Sequence, residues 1–403
     1  MLGGILIVVL TGFLSFGLIN ALASRYRNID PDFLKRLFFY HLLMAVVYYM
    51  YALFNPSDSW GYFYKVTDNY RGETWMDFYG TSTTFIEFVG YPFIKYLGFS
   101  YEACMALFSF FGFVGYMYIY AFFKENIRFR HDLYGIDLIT LIFYLPNLHF
   151  WSSSFGKGSI IFMAIAFFFF GISKIRSRWI YIAVGGFIIY HVRPHIMLVM
   201  LASSVIGFSF SNKGISIPLR LFVLACASVA FFYIYGDVLT LVGVDEQELA
   251  NQTVDFTHRA SDLTKATSGV DITSYSLPMQ VFTFLYRPLF IDAPGLLGLI
   301  VSFENVFYLL FTLQLLTPSG IKFLIRGNFL VKTAFLSFLT VSFALAQIAG
   351  NLGLAIRQKS QVMMLFLFVI LMYLDSVKTK AYEYALRQQA RRAKMTKVPE
   401  KTA

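Results

Sequence analysis

Charge is scarce in this chain. Only 14% of its 403 residues are Asp, Glu, Lys or Arg, against roughly a quarter in a soluble domain, and that shortfall excludes an ordinary water-soluble globule. Cysteine is scarcer still. Cys104 and Cys226 each sit inside an apolar run, so neither a disulfide framework nor a thiolate metal site can be assembled from them. Alternation of apolar and polar residues is lacking too: AIAFFFFG at 164–171 has no period of two, which excludes the strands of a transmembrane barrel. No internal repeat, low-complexity tract or second domain is visible. Nucleic acid is not an expected partner, in spite of a net charge of +10.

What is abundant is apolar surface. Hydrophobic residues make up 58% of the chain and aromatics 19%, and mean hydropathy is +0.62. They gather into runs cut to bilayer thickness and separated by short, often basic, stretches. The pattern predicts an all-α polytopic membrane protein with eleven spans, near 2–23, 37–54, 100–123, 136–150, 158–173, 179–192, 196–210, 221–242, 294–316, 329–349 and 361–375. Lys and Arg beside span ends resist translocation and collect in the cytoplasm. With the N-terminus outside and the C-terminus inside, 22 of the 33 basic residues fall on the cytoplasmic side, ten fall outside and Lys332 lies within a span. The first run has no basic n-region and leads into SRYRNIDPDFLKR, so it reads as an anchor helix rather than a signal peptide. One membrane domain over 1–375 is thus expected, followed by a basic cytoplasmic tail, 376–403, lying as a helix on anionic lipid. Two outward loops are long: 55–99, rich in Tyr and Trp and suited to interfacial helices, and about 243–293, whose stretch to 280 is the most polar part of the chain.

Ionisable residues beside spans are costly and tend to face a watery cavity or a partner. Asp58, His149, Trp151, Lys157, His191, Arg193, His195, Arg287, Asp292, Arg357 and Lys359 all fall on the outward side of the topology drawn from the basic residues. HFWSSSFGKGS and YHVRPHI predict helix breaks at membrane depth, which are tolerated where they line a cavity. Arg193, Arg287 and Arg357, with Lys157 and Lys359, would form an anion site, the guanidinium forks suiting phosphate or pyrophosphate. Asp58, Asp292, His149, His191 and His195 supply candidate general bases. Other polar residues read as structural. His41 and His131 belong to packing, and Glu304 and Asn305, in the middle of a span, are expected to hydrogen-bond another helix. No metal or other cofactor is expected, because Pro194 interrupts the His191–His195 spacing and no HExxH pattern occurs.

Several patches together resemble a family. FWSSSFGKGSIIF (150–162), YHVRPH (190–195), LYRPLF (285–290), ENVFYLL (304–310) and GNLGLAIRQKSQ (350–361) look like the EpsG-like and Wzy-like O-antigen and exopolysaccharide polymerases of bacteria. SDSWGYFYKV (57–66) is similar to the acidic first external loop of the wider GT-C glycosyltransferases. The resemblance implies a GT-C-like bundle in the bacterial cytoplasmic (inner) membrane with its active site facing outward. A glycan would leave polyprenyl-pyrophosphate for a sugar hydroxyl on a second lipid-linked unit, without a nucleotide donor. It further implies that Arg193, Arg287 and Arg357 bind pyrophosphate, that His195 or Asp58 is the base, and that other polysaccharide-assembly proteins are partners beside the lipid-linked oligosaccharide and membrane lipids. A single-sugar polyprenyl-phosphate transferase or ligase shares this fold and cavity. A lipid-linked oligosaccharide transporter would also bury basic residues, but should show inverted repeats or polar residues open to both sides, and the chain has neither.

Overall fold

The computed structural model describes residues 2–210, parts of 216–229, 269–293 apart from Thr273, 295–347 and 349–395. Its described part is mostly helical. In chain order come α1 (Leu2–Arg25), α2 (Pro31–Phe54), α3 (Asp58–Thr67), α4 (Thr83–Tyr91), α5 (Tyr101–Asn126), α6 (Leu138–Phe143), α7 (Pro146–Ser152), α8 (Lys157–Ser173), α9 (Ile175–Val192) and α10 (Pro194–Ser209). After the interruption follow α11 (Leu277–Tyr286), α12 (Gly295–Leu315), α13 (Pro318–Arg326), α14 (Phe329–Ala346) and α15 (Leu352–Met395). Two short strands, β1 (Asp132–Leu133) and β2 (Ile136–Asp137), pair antiparallel. Tyr134 and Gly135 between them both have positive φ, as a two-residue hairpin turn requires.

Local chemistry sets the breaks. Asp30 caps α2 by accepting from the backbone of Asp32 and Phe33, with Pro31 in the first turn, where its missing N–H costs nothing. Pro146 and Pro194 open α7 and α10 in the same way. Six described helices are long and apolar enough to cross a membrane: Gly3–Arg25, Pro31–Phe54, Tyr101–Asn126, Gly295–Leu315, Phe329–Ala346 and Leu352–Arg392. α8, α10 and α11 are apolar but shorter. The outer faces of α1 and α2 agree with a lipid surrounding, since Phe13 and Phe54 are 73% and 79% exposed, an arrangement that water would penalise.

Two expectations need correction. The run 136–150 is not one span: it begins in the hairpin and splits into α6 and α7, because Pro146 can neither donate to the preceding turn nor avoid clashing with it. The last run is far longer than 361–375, for α15 continues over 44 residues, about 66 Å at 1.5 Å per residue. It takes in the expected external loop around 357–359 at one end and the start of the tail at the other. Most of the expected span 221–242 and of the loop 243–280 lies outside the described residues.

Packing is dominated by phenylalanine. Phe122 and Phe123 of α5 meet Phe368 of α15 at ring separations of 4.3 and 5.4 Å, and Val362 to Leu371 of α15 are buried without a gap. Close approach needs glycine at one point above all: a Cβ on Gly112 of α5 would lie 1.9 Å from the carbonyl oxygen of Ser152 in α7. At the end of the bundle that holds the α8–α9 turn, charges are paired. Arg178 grips both carboxylate oxygens of Glu125 at 2.7 and 2.6 Å and lies 3.7 Å above the Phe170 ring. Asp375 accepts the backbone N–H groups of Arg128 and Phe129 at 3.0 and 2.7 Å.

Candidate functional site

The opposite end of the bundle is where helices stop short. There the start of α3, the turn before α4, the α7–α8 link, the α9–α10 break and the first turns of α15 come together. At the break, Arg193 takes φ −150° and ψ 81°, an extended conformation that the following proline favours. The guanidinium is thereby carried off both helix axes and is buried, with Nε lacking any partner. Among the described residues no carboxylate pairs with Arg193 or with Lys157. Lys157 Nζ donates instead to Ser82 Oγ at 2.8 Å, and stands within electrostatic reach of Arg193, Arg357 and Asp58.

Arg357 pairs with Asp58, and its guanidinium carbon lies 5.5 Å from the Trp151 ring centroid. Tyr62 of α3 joins the group. Burial pushes its phenol up to about 12, Asp58 adds to the rise, and Arg357 and Arg193 oppose it. The cluster therefore sets Lys157, Arg193 and Arg357 against Asp58, whose side chain is 58% exposed, and against the buried Glu87, which reaches Lys157 electrostatically but is already paired with Arg71 and Lys65. Like charges gathered in a poorly polarisable surrounding repel strongly, so the immediate cluster carries more positive than negative charge. Beside it opens a cleft of about 870 Å³ between α2, α7, α12 and α15, lined mainly by apolar side chains and reaching Trp151 and Ile356.

Not every expected site residue belongs to this cluster. Arg287 is bound to Asp292, which also accepts the Leu289 N–H, so this arginine already holds a carboxylate. Lys359, wholly buried, donates to the carbonyls of Leu285 and Arg287 at 3.0 Å each and to Asn305 Oδ1 at 2.7 Å. Two of its donors thus close the end of α11 and the third ties it to α12. His149 is placed elsewhere again. Its Nδ1 faces Nδ1 of His41 at 2.9 Å and its ring stacks on Tyr116 at 3.9 Å, inside the bundle. His191 borders the cluster, its Nδ1 bonding to Phe187 O and its Nε2 accepting from Tyr79 Oη at 2.8 Å. His195 lies in the first turn of α10, half-buried.

Glu304 and Asn305 behave as mid-span polar residues should. Glu304 accepts from the Asn147 backbone at 2.7 Å and from the Tyr308 hydroxyl at 2.9 Å, while Asn305 donates to Pro288 O at 2.7 Å. Sequence reasoning did not single out Tyr62, Ser82 or Tyr79. The only available signal for them was the aromatic and small-polar character of the 55–99 segment. Among the described residues no three His, Cys, Asp or Glu side chains come together as metal ligands would. No protein-family model matches the chain, and no curated protein or solved structure is significantly similar to it.

Proposed function

We propose that the chain is a membrane glycosyltransferase that takes a glycan from polyprenyl-pyrophosphate to a lipid-linked acceptor sugar at the outer face of a bacterial cytoplasmic membrane, as surface-polysaccharide polymerases do. One observation carries the reading: two cations without carboxylate partners among the described residues, the buried Arg193 and the half-buried Lys157, stand beside Arg357 close to a largely apolar cleft. A polyprenyl chain fits such a cleft by area alone, and the diphosphate supplies the missing negative charge. In the reaction the acceptor hydroxyl oxygen bonds to the anomeric carbon while the bond from that carbon to the pyrophosphate oxygen breaks. The leaving oxygen keeps the electron pair, and the cations stabilise it as charge develops. Asp58 is the group placed to take the hydroxyl proton, with His195 as the second candidate. Arg287 and Lys359 act by holding the end of α11, and they are not assigned to the phosphates.

The test is direct. Full-length protein in detergent should be stabilised by inorganic pyrophosphate, and Arg193→Gln should abolish that shift. In cells Arg193→Lys should accumulate at the normal level yet leave lipid-linked units unpolymerised, because lysine lacks the fork. Normal polymer with Arg193→Lys, or loss of product only in step with loss of protein, would remove the reading.

A further inference from the structure

The external segment 58–99 holds a row of rings that the chemistry above leaves unused. Trp75 stacks on Phe88 with centroids 4.9 Å apart and planes 17° from parallel. Tyr79 meets Phe88 edge-on at 5.3 Å and His191 at 5.6 Å. The row runs from the surface, where Trp75 and Tyr79 are 37% and 48% exposed, to the edge of the cationic cluster. There the Ser82 N–H donates to the His191 carbonyl at 2.6 Å while Ser82 Oγ receives Lys157. We propose that this row is a docking track for the sugar rings of the acceptor glycan, delivering its hydroxyl to the site. The inference rests on the glycosyl-transfer reading and adds to it the means of holding a neutral saccharide.

The ring orientation favours sugar over lipid. Tyr and Trp at a membrane interface turn their polar tips toward headgroups and water. Here the tips point inward: the Trp75 indole N–H donates to Phe88 O at 2.8 Å, and the Tyr79 hydroxyl donates to His191. What remains exposed is ring surface, and a pyranose offers a matching patch of C–H groups on one of its faces. Charge argues the same way. Asp68, Arg71, Glu73 and Asp77 are all exposed along this segment, and the Asp77 carboxyl is held below its ordinary range by the Thr74 N–H that it accepts. Ionised groups in this number belong in water, not in hydrocarbon.

The experiment is titration calorimetry on the full-length protein in detergent. The probe is the oligosaccharide repeat freed by mild acid from the lipid-linked pool of the cells that carry the chain. Trp75→Ala and Tyr79→Ala should each weaken its binding about tenfold, the scale of one lost ring contact, and Trp75→Phe should restore most of it. Inorganic pyrophosphate, titrated separately, should bind Trp75→Ala as it binds the unmutated protein. An unaffected Trp75→Ala, equal losses in Trp75→Ala and Trp75→Phe, or no oligosaccharide binding at all would each overturn the track. Oligosaccharide binding without pyrophosphate binding would keep the track and sink the phosphate site, so the two failures are distinguishable.

Discussion

Arg178 and Arg193 are both buried, at opposite ends of α9, and they are treated in opposite ways. Arg178 has both oxygens of Glu125, the Phe170 face and a hydroxyl from Ser173. Arg193 has no carboxylate among the described residues and an orphaned Nε. A buried charge that is matched in this way belongs to the fold, since removing one partner strands the other. A buried charge left unmatched costs stability in the empty protein, and such a cost persists at sites where something else is bound. The same contrast extends to the two ends of the bundle. One end closes its backbone and its charges with Glu125 and Asp375, and the other leaves Arg193 and Lys157 without a carboxylate partner among the described residues.

The widest separation between the ends should come from alanine at the two arginines. Arg178→Ala is expected to destabilise by about 3 kcal/mol, the low end for a broken buried pair because Lys174 still reaches Glu125 at 3.0 Å, read as a large fall in melting temperature and in protein level. Arg193→Ala should melt no lower than the unmutated protein while losing all product. A melting temperature lowered equally by both would erase the distinction. Next in size is ligand linkage. Pyrophosphate at a hundred times its Kd should add about 2.7 kcal/mol to the unmutated protein and the same to Lys174→Ala at the other end, but nothing to Arg193→Gln. Added salt should diminish the gain.

Gly112→Ala comes third. The new methyl meets the Ser152 carbonyl, and overpacking of about 1–3 kcal/mol is expected. Because Ser152 follows Trp151, pyrophosphate binding should weaken with it; unchanged binding would show that the cleft wall is not set by this contact. Smallest is Asp58→Asn. An ion pair as exposed as Asp58–Arg357 contributes at most about 1 kcal/mol, so melting should barely move. Pyrophosphate should nevertheless bind more tightly once the competing carboxylate is gone, even as transfer fails for want of a base. Weaker binding would place Asp58 on the ligand side of the charge balance.

Much of this was legible in the order of residues, and the reasons for the rest are physical. The helical class and most of the helices follow from apolar runs, and Arg193 could be found because a proline beside it announces a break in the helix. Lys157 was likewise marked by the small residues around it. What residue order does not carry is partnership across the chain. His149 looks like a site histidine until His41, 108 residues earlier, is seen against it. Lys359 and Arg287 look like free cations until the carbonyls of Leu285 and Arg287 and the carboxylate of Asp292 claim them. Helix ends failed for a related reason: GNLGLAIRQK is polar enough to read as a loop, yet its charges are satisfied by α3, α11 and α12, so α15 already begins at Leu352 within it.

Lys359 also gives the chain an order of assembly. The C-terminal carbonyls of α11 are closed by an ammonium that lies 72 and 74 residues further along. In hydrocarbon such carbonyls need a donor. While the chain emerges, α11 and α12 are made first and must wait, polar groups open, until the first turns of α15 arrive. The interior around Asn305 can therefore close only when the last helix has inserted, and a chain stopped before 352 would present that gap to whatever surveys newly made membrane proteins.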